Sequence, residues 1–250
     1  MLMLACGDGT PIPPGLLTGI MDMTSVPSQR GLWDAWHAHA RGADAEPVHR
    51  EFIDRYLFLL PRPGEARPLL ELGCGQGHDA LYVAGRGYSV NALDLSAAAV
   101  ERANRNLEAH PGADAVFLQH DTAMPLPFGG EAFDGVYSYL ALHYFDDSTT
   151  RAIFVELHRV LRPGGTLAFC VKSVSDPLYG KGDMLEPDMY SLNGHVRHFF
   201  DRRYAADLLR SWDAVRITES QGHYLDSAAP SGLLQVIARR PSSAGAVATD

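Results

Sequence analysis

The sequence predicts an α/β fold: a doubly wound, seven-stranded, mostly parallel sheet with an antiparallel last strand and an N-terminal helical cap. From residue 68 onward, five short apolar runs alternate with segments of helical periodicity, the pattern of successive βαβ units. Two further apolar runs, Val215–Ser220 and Leu233–Ala238, are separated by about a dozen residues without helical periodicity. That connection favours an antiparallel pair at the end of the sheet.

Each element follows from local signals. Helices are expected at Trp33–Ala40 and Val48–Leu60, the second ending at Pro61. The first strand is Pro68–Gly73. The remaining elements, in chain order, are helix Asp79–Arg86, strand Tyr88–Asp94, helix Ala97–Ala109 with Ser96 as its N-cap, strands Val116–Leu118 and Phe133–Leu140, helix Thr149–Leu161, strand Thr166–Val171 and helix Arg202–Trp212.

The domain organisation is expected to be simple. Residues 1–28 show no periodicity and are interpreted as a flexible N-terminal extension, and residues 241–250 as a flexible tail. Residues 29–240 form one domain. Within it, residues 173–200 are punctuated by glycine and proline and are expected to be a structureless insertion. An insertion of this length in a compact domain is usually a lid or a binding segment.

Composition and charge exclude several classes of protein. The net charge of −9 disfavours a general nucleic-acid binder, because an acidic surface repels phosphate backbones. No apolar run reaches the length of a membrane span, and no signal peptide is recognised, so we expect a cytoplasmic protein without a membrane partner. The three cysteines, Cys6, Cys74 and Cys170, have neither disulfide nor zinc spacing, and no metal site is expected. A homodimer is left open.

Polar and glycine residues follow three strands in succession. Gly73, Gly75 and Gly77 follow the first strand, where glycine lets the backbone approach a ligand without a Cβ clash. Asp94 ends the second strand, and a carboxylate there can accept both hydroxyl hydrogens of a ribose. Asp121 follows the third strand, where it can accept a hydrogen bond from an adenine amino group. Since parallel strands end at one edge, these groups suit a single nucleoside.

These residues resemble the motifs of the Rossmann-like S-adenosylmethionine (SAM)-dependent methyltransferases of the small-molecule type, which include tellurite-resistance proteins. The resemblance rests on Glu71–Gly77, Asp94, Asp121 and Leu161–Gly165, and it covers residues 48–240. It implies SAM as the cofactor, with its amino-acid part at the glycine turn, its ribose at Asp94 and its adenine after the third strand. The cofactor-binding residues implied are Trp36, Glu71, Gly73, Cys74, Gly75, Gly77, Asp94, Leu95, Asp121, Thr122, Ser138 and His143.

The resemblance also places the acceptor. In the family the fourth strand ends beside the reactive methyl, and substrate-facing residues lie in an insertion like residues 173–200. The candidate general bases are therefore His143, His195 and His198, and the candidate substrate-binding residues are Trp33, Tyr144, His195, Arg197 and His198. Packing alone is the alternative for each of them; Arg197, for example, is then paired with Asp188 or Asp201 in a loop.

The function implied is transfer of a methyl group from SAM to a nitrogen, oxygen or sulfur of a small molecule by in-line displacement. Ser138–Ala141 stands where enzymes that methylate the amino groups of bases carry an Asn/Asp-Pro-Pro-Tyr sequence, which argues against that chemistry. Two alternatives remain. One is a protein that binds SAM without methyl transfer. The other is a nicotinamide oxidoreductase, which the glycine spacing disfavours because the third glycine comes one residue early for the dinucleotide fingerprint.

Overall fold

The computed structural model describes residues 29–39, 50–222 and 230–242. Its helices are α1 (Gln29–His39), α2 (Arg50–Leu57), α3 (His78–Ala84), α4 (Ala97–Glu108), α5 (Asp147–Val160) and α6 (Arg202–Leu208), with a short 3-10 helix at Leu142–Tyr144. Its strands are β1 (Leu69–Leu72), β2 (Val90–Asp94), β3 (Ala115–Gln119), β4 (Phe133–Tyr139), β5 (Leu161–Lys172), β6 (Asp183–Glu186), β7 (Met189–Leu192), β8 (His195–His198), β9 (Asp213–Gly222) and β10 (Ser231–Arg239).

Seven strands form one sheet in the order β3-β2-β1-β4-β5-β10-β9. Strands β1 to β5 are parallel, whereas β10 is antiparallel to both β5 and β9. The predicted fold class is therefore confirmed, including the antiparallel last strand. Successive strands β1, β2 and β3 extend the sheet in one direction and β4 and β5 in the other. A ligand crevice forms at such a switch point, outside the carboxyl ends of the strands.

Helices cover both faces of this sheet. In β1, Leu69 enters a core that includes residues of α2 and α3, whereas Leu70 and Leu72 enter a second core that includes residues of α5 and α6. This two-sided burial is why the parallel strands appear in the sequence as continuous apolar runs. Polar side chains set the start of three helices: Ser96, Asp146 and Asp201 each accept a hydrogen bond from the N–H three residues later.

The insertion after β5 differs from its prediction. Residues 173–200 were expected to lack structure, but they contain a three-stranded antiparallel sheet in the order β6-β7-β8. Asn193 and Gly194 join β7 to β8 with φ angles of 53° and 81°. Two successive residues with positive φ form the type I′ turn of a tight hairpin, for which Asn-Gly is the preferred pair. The loop interpretation was wrong because it took this dipeptide as a sign of irregular structure.

Several predicted boundaries shift by a few residues. Helix α6 ends at Leu208 rather than Trp212, β5 begins at Leu161 rather than Thr166, and α5 begins at Asp147 rather than Thr149. The predicted extension, residues 1–28, lies outside the described residues, as does most of the predicted tail, residues 243–250. Among the described residues, no helix combines the length and the apolar character that a membrane span requires.

Candidate functional site

The glycine turn between β1 and α3 lies against the tip of β4. Gly73 has a φ of +71°, and a Cβ atom placed on it would lie 2.2 Å from the Cβ of Ala141. Gly77 has a φ of +80°, and its Cβ would lie 2.6 Å from the ring of Phe117 in β3. Only glycine fits these two positions. The missing side chains therefore let the ends of β1, β3 and β4 approach one another closely.

Asp94 joins the tip of β2 to this turn. Its buried carboxylate accepts a hydrogen bond from the N–H of Gly75 at 2.8 Å and another from the N–H of Ser96 at 2.9 Å. Each oxygen is thus used once, and a carboxylate oxygen can accept a second bond. The structure brings the predicted ribose-binding acid directly beside the middle glycine of the turn.

Helix α1 covers the turn. The Ser96 hydroxyl donates to Asp34 at 2.6 Å, which ties α1 to the end of β2. The Cε1 atom of buried His37 lies 3.4 Å from the Cβ position of Gly75. Further along the helix, the ring of Trp33 contacts the rings of Tyr144 and His195, with centroids 5.0 and 5.6 Å apart. A row of aromatic rings thus closes one side of the crevice.

The predicted adenine-binding residues are more open. Asp121 and Thr122 lie just after β3 and are half-buried. Asp121 accepts a hydrogen bond from the N–H of Ala123 at 3.0 Å and lies 3.9 Å from the guanidinium of Arg30 in α1. Leu95 follows Asp94, and its carbonyl accepts a bond from Gln119. This end of the crevice therefore has polar groups facing solvent.

Four of the predicted cofactor residues lie beneath or beside the turn. Glu71 is buried and accepts a bond from the hydroxyl of Tyr137 at 3.2 Å; burial, together with nearby Asp79, raises the pKa of Glu71 well above its ordinary value. Ser138 donates to the carbonyl of Leu72 at 2.9 Å. Two others are Cys74, whose pKa burial raises, and Trp36, which packs edge-on against His37.

His143 lies in the 3-10 helix that follows β4. It is completely buried, and neither ring nitrogen has a hydrogen-bond partner within the described part of the chain. Burial lowers its pKa well below 6.5, and the charges of Lys172 and Arg197 lower it further. The imidazole is therefore neutral at pH 7, which is the form that can accept a proton.

The insertion places its polar residues on two faces. Alternation along β8 puts His195 and Arg197 on one face and His198 on the other. His195 lies against Trp33, whereas the ring of His198 packs against Tyr204 of α6 at 4.7 Å. The structure thus groups His195 and Arg197 with His143, Tyr144 and Trp33. His198 lies at the edge of this group.

Some contributors were not recognised as site residues from the sequence. His37, Asp34 and the buried ion pair of Lys172 with Asp176, 2.8 Å apart, all lie around the crevice. The spacing of Lys172 and Asp176 matches no known motif. Asp34 is one of many acidic residues that the sequence pattern places at the surface. His37 had a signal in the aromatic content of α1, but its approach to Gly75 depends on tertiary packing.

Comparison with known proteins identifies the central part of the fold. The family model described as "Methyltransferase domain" matches residues 69–165. Residues 69–165 are a methyltransferase domain. The domain has the Rossmann-like fold of the SAM-dependent class that the motifs resemble, which agrees with SAM as the predicted cofactor.

Curated relatives and solved structures agree with this assignment. The chain is 34% identical over 140 residues to 27-O-demethylrifamycin SV methyltransferase of Amycolatopsis mediterranei, covering 55% of this chain and 48% of the relative. It is 30% identical over 167 residues to malonyl-[acyl-carrier protein] O-methyltransferase of Salmonella typhimurium, covering 64% of this chain and 59% of the relative. The chain therefore spans about half the length of the curated relatives it matches.

The fold is shared with a SAM-dependent methyltransferase from Methanosarcina mazei, with a TM-score of 0.60 at 21% identity, over 80% of this chain and 99% of that chain. The residues at the crevice fit a SAM molecule. The glycine turn leaves its backbone accessible, Asp94 retains acceptor capacity, and the rings of α1 can face a sulfonium cation. Among the described residues, no cluster of side chains is suited to hold a metal ion.

Proposed function

We propose that this protein transfers a methyl group from SAM to an oxygen nucleophile of a small molecule. The observation that carries the proposal is the hydrogen bond from the Gly75 N–H to Asp94, because it joins the two motifs expected to hold the cofactor into one rigid unit. The choice of oxygen is supported by the Salmonella relative, which is an O-methyltransferase by name. It is also supported by His143, whose two buried ring nitrogens have no partner among the described residues and are available to take a hydroxyl proton.

The residues have distinct proposed roles. When bound, SAM supplies an electrophilic methyl group, so the protein needs mainly to align the acceptor and exclude water. Asp94 and the glycine turn orient the cofactor. Trp33 and Tyr144 shield the reacting atoms from solvent. A ring nitrogen of His143 removes the hydroxyl proton of the molecule that is methylated. His195 on β8 is the second candidate for this base.

The remaining predictions accompany this proposal. The acceptor is a small molecule rather than nucleic acid, consistent with the net charge of −9. A cytoplasmic location is supported by Cys74 and Cys170, which are buried as free thiols. Residues 29–240 are proposed as one functional domain, with residues 173–200 as the acceptor-binding part. A homodimer remains part of the proposal. Among the described residues, β9 is an edge strand with a neighbour on one side only, so its other side is available to pair with a second copy.

The proposal is tested by incubating the protein with SAM carrying a labelled methyl group and a panel of hydroxyl, amine and thiol acceptors. We expect labelled product from a hydroxyl compound, and a loss of about 100-fold in kcat for His143→Gln with unchanged affinity for S-adenosylhomocysteine. His110→Gln, a change at an exposed histidine on another part of the surface, is the matched control. Transfer only to amines or thiols would contradict the proposed acceptor atom.

A further inference from the structure

Arg197 is a buried cation without an anionic partner in the described part of the chain. Arg197 is only 3% exposed, and no acceptor for its Nε–H is found within residues 29–39, 50–222 and 230–242. Neither of the two carboxylates expected to pair with it forms an ion pair with it; each has a different hydrogen-bond partner. Asp188 accepts a bond from the hydroxyl of Tyr179, and Asp201 caps α6 through the N–H of Tyr204. The paired-loop interpretation of Arg197 is therefore wrong.

The other buried cation nearby shows the contrast. Lys172, at the end of β5, forms an ion pair with Asp176 at 2.8 Å and a hydrogen bond with Ser231 at 3.1 Å. The positive charge of Lys172 is neutralised by Asp176, so Lys172 does not require an anionic ligand. Arg197 has no such compensation from the described residues, although burying an unpaired charge is costly.

The surroundings of Arg197 indicate what kind of ligand could pair with its charge. Arg197 shares a face of β8 with His195, whose ring contacts Trp33 and through it Tyr144. Strand β8 also lies against the 3-10 helix that carries the proposed base, and the charge of Arg197 lowers the pKa of His143. Both His143 nitrogens and Arg197 Nε are buried polar atoms without partners among the residues that the structure describes, although buried polar groups are normally hydrogen-bonded. Unsatisfied donors and acceptors thus belong to two adjoining elements on the acceptor side of the crevice.

From this geometry we propose that Arg197 binds a carboxylate of the methyl acceptor, so that the substrate is a ring-containing acid. This inference rests on the proposed function and specifies its substrate class. A guanidinium matches a carboxylate with two parallel hydrogen bonds, which fixes the orientation of the acceptor. The rings of Trp33, Tyr144 and His195 supply flat apolar surface beside that charge. The carboxylate of the cofactor itself has the same chemistry, and the experiment separates these two sources.

The test uses benzoate and its neutral isostere benzamide, titrated by NMR into the full chain loaded with S-adenosylhomocysteine. We expect benzoate to bind at least about tenfold more tightly than benzamide. Arg197→Gln is expected to abolish that preference, and Arg197→Lys, which keeps the charge, to retain part of it. Arg210→Gln removes a charge from an arginine side chain that is 83% exposed and serves as the control.

Three outcomes overturn the inference. Equal binding of benzoate and benzamide to the wild-type protein does so without any variant. A preference that survives in a folded Arg197→Gln protein also does so. A loss of about tenfold or more in affinity for S-adenosylhomocysteine in Arg197→Gln assigns the arginine to the cofactor carboxylate instead. If wild-type protein binds no S-adenosylhomocysteine, the proposed function fails, and benzoate titrated into the unloaded protein still decides the role of Arg197.

Discussion

The two sides of the crevice differ in how their polar groups are satisfied. On the cofactor side, both oxygens of Asp94 accept backbone hydrogen bonds, and the Ser96 hydroxyl both caps α4 and donates to Asp34. On the acceptor side, His143 and Arg197 are equally buried but keep unpartnered nitrogens among the described residues. The cofactor side is mostly organised by the chain itself, although the Nδ1 atom of buried His37 also lacks a partner among the described residues. The acceptor side differs because one of its unpartnered groups, Arg197, carries a charge. The larger cost of function to stability is therefore expected on the acceptor side, where the charge is buried.

The largest effect is expected from Gly73→Ala on the cofactor side. The new Cβ would lie 2.2 Å from that of Ala141, and the residue would keep a φ of +71°. Left-handed strain and overpacking together are expected to lower the free energy of unfolding by about 3 kcal/mol or more. Urea unfolding measures this change.

Gly64→Ala is the matched control, because Gly64 has a similar φ of +83° but no atom within 4 Å of its Cβ position. It carries only the strain, about 1–2 kcal/mol. Equal losses in the two variants would contradict the close approach of the β1 and β4 tips.

Asp94→Asn comes next. The N–H groups of Gly75 and Ser96 each donate to a different oxygen of Asp94. In asparagine one of these oxygens is replaced by an NH2 group, which cannot accept, so one of the two hydrogen bonds is lost. We expect affinity for S-adenosylhomocysteine to fall by about 10- to 100-fold, as for loss of charge-assisted hydrogen bonds. Asp114→Asn, an exposed position at the opposite end of the sheet, should bind as the wild type does. Calorimetry that gave equal affinities for Asp94→Asn and wild type would remove Asp94 from the site.

Gly73 and Asp94 are examples of site residues that the sequence alone could predict. The glycine turn, Asp94 and the alternation of strands with helices depend on residues close together in the chain, and periodicity and turn chemistry indicate them directly. The insertion could not be predicted as well. Its strands of four residues are too short to show alternation, and Asn193-Gly194 was the one local sign of a hairpin. The approach of α1 to the turn depends on Asp34 and His37, whose contacts are purely tertiary.

Arg197→Met sharpens the comparison from the acceptor side. Replacing an unpaired buried charge by an apolar side chain of similar length is expected to raise the free energy of unfolding of the ligand-free protein by about 1 kcal/mol or more. The exposed control Arg210→Met should stay within about 0.5 kcal/mol of wild type. A clear destabilisation by Arg197→Met would mean that the chain itself supplies a partner for this charge.

His143 gives the acceptor side a pH signature. Burial lowers its native pKa well below 6.5, so below pH 6.5 the unfolded state binds a proton that the native state does not. Stability therefore falls as pH decreases from 6.5 toward the native pKa, by up to about 1.4 kcal/mol per pH unit from this histidine. His143→Phe should flatten this decline in urea unfolding between pH 7 and 5. An unchanged slope would show that His143 is charged in the folded protein.

The central claim is that the tips of β1, β2 and β3 hold SAM, and calorimetric titration tests it most directly. Wild-type protein is titrated in parallel with S-adenosylhomocysteine and with NAD⁺. We expect saturable heat at one molecule per chain for S-adenosylhomocysteine and none for NAD⁺. Saturable heat with NAD⁺ alone, or no heat with S-adenosylhomocysteine, would contradict the account.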